Sequence, residues 1–367
     1  MINLIVAFCQ ERCSTMRIKR LGKKLFDLIR PKQQADRSGF ARARGQVTHV
    51  IILDGTMSSL TPGEETNAGI TYRLLREMGN AVSVYYEAGV QWGDWRNTPD
   101  VILGRGINRQ IRRAYGYLAS RYHPGDRIFL MGYSRGAYAV RSLAGVIDQI
   151  GLLRADQATE RNITQAYRHY QCNPNGAGSK AFAAAHCHPE TPIEMVGVWD
   201  TVKALGLRWP LIWRWSPSAH EFHNSSLGQS IHHGYQALAL DETRSAFTPV
   251  LWHCPQDWTG HMEQVWFRGC HSDIGGQLGG RTKARKLSNI PLVWMLERAE
   301  DCNLPLPEAW RWRFATDVDA PSLGSWTGWG KLFLMRSRRV VGTDKSERLH
   351  ETVQMRGIDM RALQKAL

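Results

Sequence analysis

The sequence predicts an α/β fold built on a mostly parallel central sheet flanked by helices. Three observations lead there. Short apolar, β-branched runs such as residues 47–53 and 193–199 alternate with stretches of helical periodicity, the pattern of strands joined by crossover helices. A chain of 367 residues with 43% hydrophobic content can bury a large core. Finally, Arg127-Ile128-Phe129-Leu130-Met131-Gly132-Tyr133-Ser134-Arg135-Gly136-Ala137 reads as a buried strand that stops at a serine between two glycines and turns into a helix.

The elements follow in order. Residues 47–53 form a first core strand ending at Asp54-Gly55-Thr56, and Thr66-Asn67 caps a helix through Tyr72, Leu75 and Met78. Residues 81–86 form the next strand, 92–106 a polar surface loop, and 107–122 a helix with Ile111, Ala114, Tyr115 and Leu118 on one face. His123-Pro124-Gly125-Asp126 is a turn signal before the serine strand, and Ala137, Val140, Leu143, Ala144, Ile147 and Ile150 recur at helical spacing after it. Residues 173–185 read as a loop or insertion, 193–199, 250–252 and 263–267 as strands, and 290–299 as a helix.

The Gly-x-Ser-x-Gly turn matches the nucleophile elbow of an α/β-hydrolase fold. A nucleophilic hydroxyl must stand clear of the sheet on a tight turn, so flanking residues without Cβ atoms let strand and helix approach. The same turn aims the Arg135 amide at the place where an oxyanion would form, and the amides of Gly55 and Thr56 could supply a second donor. A serine nucleophile also needs a base and an orienting acid, expected after it in the order acid, then histidine, on loops after core strands. Asp200 follows 193–199 and His271 follows 263–267, so Ser134, Asp200 and His271 arrive in that order. Other residues compete: His350 and His253 as the base, Asp273 and Asp54 as the acid, and a plain helix cap as the role of Asp200.

The charge is unevenly placed. Residues 1–45 carry eleven Lys and Arg against three Asp and Glu, giving +8 of the chain's +14. Ile18, Leu21, Leu25, Leu28 and Ile29 there share one face of a basic amphipathic helix, suited to an anionic membrane surface or to docking on a core. The expected organisation is a basic leader over 1–45 and one hydrolase domain over 46–367, with its core motifs in 47–300. No recognised module accompanies the charge, so nucleic acid is not an expected partner. No window reaches the ~18 consecutive apolar residues of a membrane span, and the start is a poor signal peptide. Seven scattered cysteines suggest a reducing compartment. Trp199, Trp209, Trp213 and Trp215, with Arg208 and Arg214 between, mark a Trp-rich insertion; a lid over 203–218 competes there with an ordinary packed helix. His186-Cys187-His188 and His232-His233 have ligand types without the paired spacing of a structural zinc site, so neither metal nor cofactor is expected.

Gly132 to Ala137, Gly197-Val198-Trp199-Asp200-Thr201-Val202 and Gly269-Cys270-His271-Ser272-Asp273-Ile274-Gly275-Gly276 together resemble the α/β-hydrolase family of type VI secretion phospholipase effectors. Asp54-Gly55-Thr56, Tyr85-Tyr86, Asp241-Glu242-x-Arg244 and Leu349-His350-Glu351-Thr352-Val353 are similar too, over about residues 47–356. Met57 stands where the family often has tryptophan. The resemblance implies a metal-free Ser–Asp–His hydrolase of lipid esters, phospholipase A-like. Other readings are a small-ester carboxylesterase, a thioesterase, or a non-catalytic module that binds membranes or partners on the same fold. A lipid ester is the expected substrate, with peripheral membrane contact through the leader and the Trp-rich segment. The expected location is cytoplasmic or peripheral to a membrane, with export by a specialised secretion system left open.

Overall fold

The computed structural model describes residues 45–89, 105–202, 226–254, 257–326 and 334–355. Among these, seven strands form one sheet: β1 Thr48–Leu53, β2 Val82–Glu87, β3 Arg127–Tyr133, β4 Ile193–Trp199, β5 Ile231–Ala239, β6 His261–Phe267 and β7 Glu347–Leu349. Their order is β2-β1-β3-β4-β5-β6-β7, and every neighbouring pair is parallel. The helices are α1 Asn67–Glu77, α2 Arg105–Ala119, α3 Arg135–Ile150, α4 Glu160–Cys172, α5 Ala177–His186, α6 His271–Gly275, α7 Arg285–Asp301 and α8 Glu351–Gln354.

A parallel sheet has to be covered on both faces, and the alternation of side chains in β1 shows how this is done. Ile51 and Leu53 pack in one core with Ile111 and Leu118 of α2, Val140 and Leu143 of α3, and Ile163 of α4. Val50 and Ile52 point the other way, into a core with Leu74 and Leu75 of α1 and Leu292, Met295 and Leu296 of α7. The layers are therefore helix, sheet, helix. Each such side chain, fully buried, contributes about 1.5–3 kcal/mol, so the two cores hold the sheet rigid beneath its loops. Thr66 caps α1, its Oγ1 accepting from Gly69 N at 2.9 Å.

Three expected elements change. The stretch 173–185 contains helix α5, because Ala181, Ala183, Ala184 and Ala185 are strong helix formers despite their small size. Residues 250–252 join no strand of the sheet; Val250 N donates to Thr201 O at 2.9 Å, and side chains take most of the remaining backbone groups. Gln264 Oε1 accepts from Trp252 N at 2.8 Å and Gln264 Nε2 donates to Trp252 O at 2.9 Å. Arg141 Nη1 and Gln236 Nε2 both donate to Val250 O. Two strands are missing from the sequence reading: β5, whose run is broken by His232, His233 and Gln236, and the three-residue β7, too short to show a pattern. The helix expected at 107–122 begins two residues earlier and ends at Ala119. Residues 90–104, residues 1–44 of the leader and the Trp-rich stretch 203–225 lie outside the described residues.

Candidate active site

The register sets four strand ends side by side. Leu53 pairs with Gly132, Tyr133 with Trp199, and Ala239 with Phe267, so the residues that follow β1, β3, β4 and β6 emerge at one rim. Parallel α/β sheets carry their sites at this carboxyl edge. Here Asp54 follows β1, Ser134 follows β3, Asp200 follows β4, and His271 opens α6 after β6.

Ser134 is the turn between β3 and α3, with φ 58° and ψ −120°, a conformation that costs a residue with a side chain about 1–3 kcal/mol. The flanking glycines are needed for close approach. A Cβ on Gly136 would lie 2.1 Å from Leu53 O, and one on Gly132 would lie 2.9 Å from the Ala137 backbone. Ser134 N donates to Trp199 O at 3.0 Å, which ties the turn to β4.

Three of the residues singled out in sequence meet here. His271 Nε2 lies 2.9 Å from Ser134 Oγ, and His271 Nδ1 lies 2.5 Å from Asp200 Oδ2. A carboxylate can only accept, so Nδ1 carries the proton and Nε2 presents its lone pair to the serine hydroxyl. Relative exposures are 7% for Ser134, 3% for His271 and 0% for Asp200, which keeps the hydroxyl reachable and the pair behind it dry. The imidazole sits between two rings, stacked on Tyr133 at 4.9 Å and tilted against Phe247 at 4.8 Å. Glu242 Oε2 accepts from His271 N at 3.1 Å, and Arg244 holds Glu242 through Nε at 2.8 Å and Nη2 at 2.6 Å.

Asp200 has a second partner that the sequence reading missed. Arg339 reaches it from 139 residues downstream, Nη1 to Oδ1 at 2.5 Å and Nη2 to Oδ2 at 2.9 Å. Burial would push the Asp200 carboxyl up; the Arg339 charge and the hydrogen bonds from His271 and Arg339 outweigh it and hold the group well below the usual carboxylate range. The Asp200 backbone also has positive φ, 43°, and Ala239 N donates to its Oδ1 at 3.0 Å.

Asp54 is held differently. It accepts from Gly55 N at 2.6 Å, Thr66 Oγ1 at 2.6 Å and Tyr86 OH at 2.7 Å, so the Gly55 amide, expected as an oxyanion donor, is instead engaged by Asp54. Burial raises its pKa to about 6, only partly offset by these hydrogen bonds. Its contacts make it a brace for the loop Gly55–Thr56, and a Cβ on Gly55 would lie 3.4 Å from Ser134 Cβ. Gln277 Nε2 donates to Thr56 O at 2.9 Å, and the Arg135 guanidinium donates to Thr56 Oγ1. Asp273 has work of its own. It accepts from Cys270 N at 2.9 Å, Ser322 Oγ at 2.6 Å and Leu323 N at 3.0 Å, fixing the loop that carries His271. His350 stacks on Phe267 at 4.5 Å and caps α8, its Nδ1 accepting from Thr352 N at 3.4 Å with Thr352 Oγ1 2.9 Å away, and burial lowers its pKa to about 4. His253 is exposed, 4.0 Å from Asp344.

Some supporting residues had a signal and others had none. Tyr86 and the Glu242–Arg244 pair fall in segments already noted for their resemblance. Arg339 and Phe247 could not be told from surface residues without knowing the fold. Among the described residues, no group of three or more His, Cys, Asp or Glu side chains could hold a metal ion. The doublets lead elsewhere: His186 Nδ1 lies 2.9 Å from Gln157 Oε1, and His233 Nδ1 lies 2.9 Å from Glu194 O. Nor, among the described residues, is any helix long and apolar enough to cross a membrane.

Fold and rim together define an α/β protein with a serine, a histidine and an aspartate in hydrogen-bonded sequence at the carboxyl edge of its sheet. The family model for the type VI secretion phospholipase effector Tle1-like catalytic domain matches residues 48–298, more than half of the chain, and the chain belongs to that family. A curated relative, Uncharacterized protein YEL023C of Saccharomyces cerevisiae, is 25% identical over 259 residues, 60% of this chain and 36% of that protein. The chain thus spans about a third of the length of the curated relative it matches. Two solved structures are also similar. One is an uncharacterized protein from Pseudomonas aeruginosa, with 16% identity, TM-score 0.38, and coverage of 82% of this chain and 52% of that one. The other is a Tle1 effector bound to the VgrG spike of the type 6 secretion system, with 20% identity, TM-score 0.31, and coverage of 64% and 52%.

Proposed function

We propose that the protein is a serine hydrolase of lipid carboxylic esters, phospholipase A-like, acting through Ser134, His271 and Asp200. One observation carries the proposal: an unbroken hydrogen-bond line from a serine on a strained strand–helix turn, through an imidazole, to a buried ionised carboxylate. Membership in a phospholipase family supports the choice of a lipid ester.

In this reading Ser134 Oγ attacks the ester carbonyl carbon while its proton passes to His271 Nε2. Asp200 keeps the imidazole in the required tautomer and stabilises the imidazolium. The carbonyl oxygen becomes an oxyanion, held by the Arg135 amide at the start of α3 and by the Thr56 amide, since Gly55 N is already bonded to Asp54. Collapse of this intermediate breaks the bond to the leaving alcohol, whose oxygen takes the proton from Nε2. Water then attacks the acyl-enzyme, gives a proton to Nε2, and the fatty acid leaves as that proton returns to Ser134 Oγ. No metal is required at any step.

The test is fatty-acid release from phosphatidylethanolamine and phosphatidylcholine vesicles by the full chain and by Ser134→Ala. The expected outcome is release by the wild type and a loss of at least about a thousandfold in the variant. Comparable release by both proteins would overturn the proposal.

A further inference from the structure

Residues 299–355 lie beyond the stretch matched by the family, yet one side chain among them touches the acid of the proposed triad. The Arg339 side chain is 4% exposed and spends four hydrogen bonds in one place. Two form a fork on both oxygens of Asp200, at 2.5 and 2.9 Å. The other two run from Nη1 to Ala239 O at 2.9 Å, at the end of β5, and from Nη2 to Phe247 O at 2.6 Å. Phe247 is the ring packed against His271. One guanidinium thus joins the acid, a strand end and the wall of the imidazole.

We propose that Arg339 is a positioning residue: its fork fixes the Asp200 carboxylate and offsets part of the negative field that this carboxylate exerts on His271. The inference rests on the Ser134–His271–Asp200 reading. A planar guanidinium matches both carboxylate oxygens at once, which sets the plane of the acid as well as its place. It also alters the balance of charge. An uncompensated buried carboxylate beside an imidazole favours the imidazolium, which cannot accept the serine proton; a cation on the far side of that carboxylate weakens the pull. The other charged or titratable groups around the pair are Glu242 and Arg244 after β5, Tyr133 on β3, Cys270 before α6, and Asp54 after β1. Glu242 and Arg244 neutralise each other through their own bidentate pair, which leaves Arg339 as the cation directly on the acid.

The experiment measures the rate of covalent labelling of Ser134 by a fluorophosphonate from pH 5 to pH 9. It uses the full chain, Arg339→Gln and Arg339→Lys, with Ser134→Ala as the blank. For Arg339→Gln the expected result is a rate roughly ten- to a hundredfold lower at the plateau, the scale of a misplacement of about 1 Å. Its acid limb should also move to higher pH, because an unshielded Asp200 favours both the imidazolium and its own protonation. Arg339→Lys keeps the charge and loses the fork, so its plateau should fall several-fold with the acid limb close to wild type. A merely structural role would lower the amount of reactive protein and leave the limb unmoved in both variants. If Arg339→Gln does not fold, a wild-type rate in Arg339→Lys overturns the proposal. Unlabelled Ser134 in the wild type sinks the triad reading itself. Labelled wild type with unchanged rates and limbs in the variants sinks only the role of Arg339.

Discussion

Two buried aspartates stand at strand ends of the same sheet, and their environments drive them in opposite directions. Asp54, after β1, is surrounded by neutral donors, and burial lifts its pKa to about 6. Asp200, after β4, is just as buried, but Arg339 and His271 hold it well below the usual range. Hydrogen bonds from an amide and two hydroxyls do not offset the cost of burial; a bidentate cation does. The difference separates two roles. A group that must stay ionised beside a histidine needs a full charge opposite it, while a group that braces a loop of backbone amides does not.

Asp200→Asn is the strongest way to break this contrast. It removes the charge that orients His271 and leaves the Arg339 guanidinium buried without its carboxylate. The turnover number should fall about ten-thousandfold, and stability by about 3–5 kcal/mol, read from ester hydrolysis and from denaturant unfolding. Activity within tenfold of wild type would show that the carboxylate is not the orienting acid.

Asp54→Asn should have a smaller effect on rate, about tenfold, through loosening of the Gly55–Thr56 loop. It sharpens the comparison through pH. The folded-state pKa of Asp54 is raised, so its contribution to stability is fully present below about pH 4 and is lost as pH rises through about 6. A rise from 3.8 to about 6 corresponds to about 3 kcal/mol. Relative to wild type, Asp54→Asn should therefore gain stability between pH 4 and pH 6. The folded-state pKa of Asp200 is depressed, so its contribution is present above about pH 4 and lost only as pH falls further. The difference between wild type and Asp200→Asn should then stay flat over pH 5–7 and shrink in stronger acid. Thermal unfolding of the three proteins from pH 3 to pH 7 gives both curves, and parallel curves would contradict the assignment.

The contrast was partly legible in the chain. The runs of β1, β3, β4 and β6 are uninterrupted enough to be read as strands, and each ends at a residue able to do chemistry: Asp54, Ser134, Asp200 and, four residues past Phe267, His271. Chain order favours Asp200 and His271, but cannot by itself set aside His350, His253, Asp273 and Asp54. Strand order decides that, and β5, the strand between β4 and β6, is hidden by His232, His233 and Gln236. The Gln236 side chain accepts from Thr201 Oγ1 at 3.0 Å and Arg141 Nη1 at 3.2 Å inside the protein, so its polar character misleads in sequence and is satisfied in the fold. Arg339 is hidden for another reason. It sits in the basic run Arg336-Ser337-Arg338-Arg339, and its partner is 139 residues away.

The smallest expected effect concerns the histidine that does not reach the serine. His350→Asn should keep ester hydrolysis within about twofold and lower stability by about 1 kcal/mol, since it alters a cap and a ring stack on Phe267. A large loss of activity in well-folded His350→Asn would move the base away from His271.

The central claim is that Ser134 is activated by His271. Treatment of the full chain and of His271→Ala with a fluorophosphonate at neutral pH, followed by mass spectrometry of the peptides, tests it most directly. The expected result is one adduct on the wild type, at Ser134, and labelling of the variant slowed by several orders of magnitude. An adduct on another residue, or equal labelling of the two proteins, would contradict it.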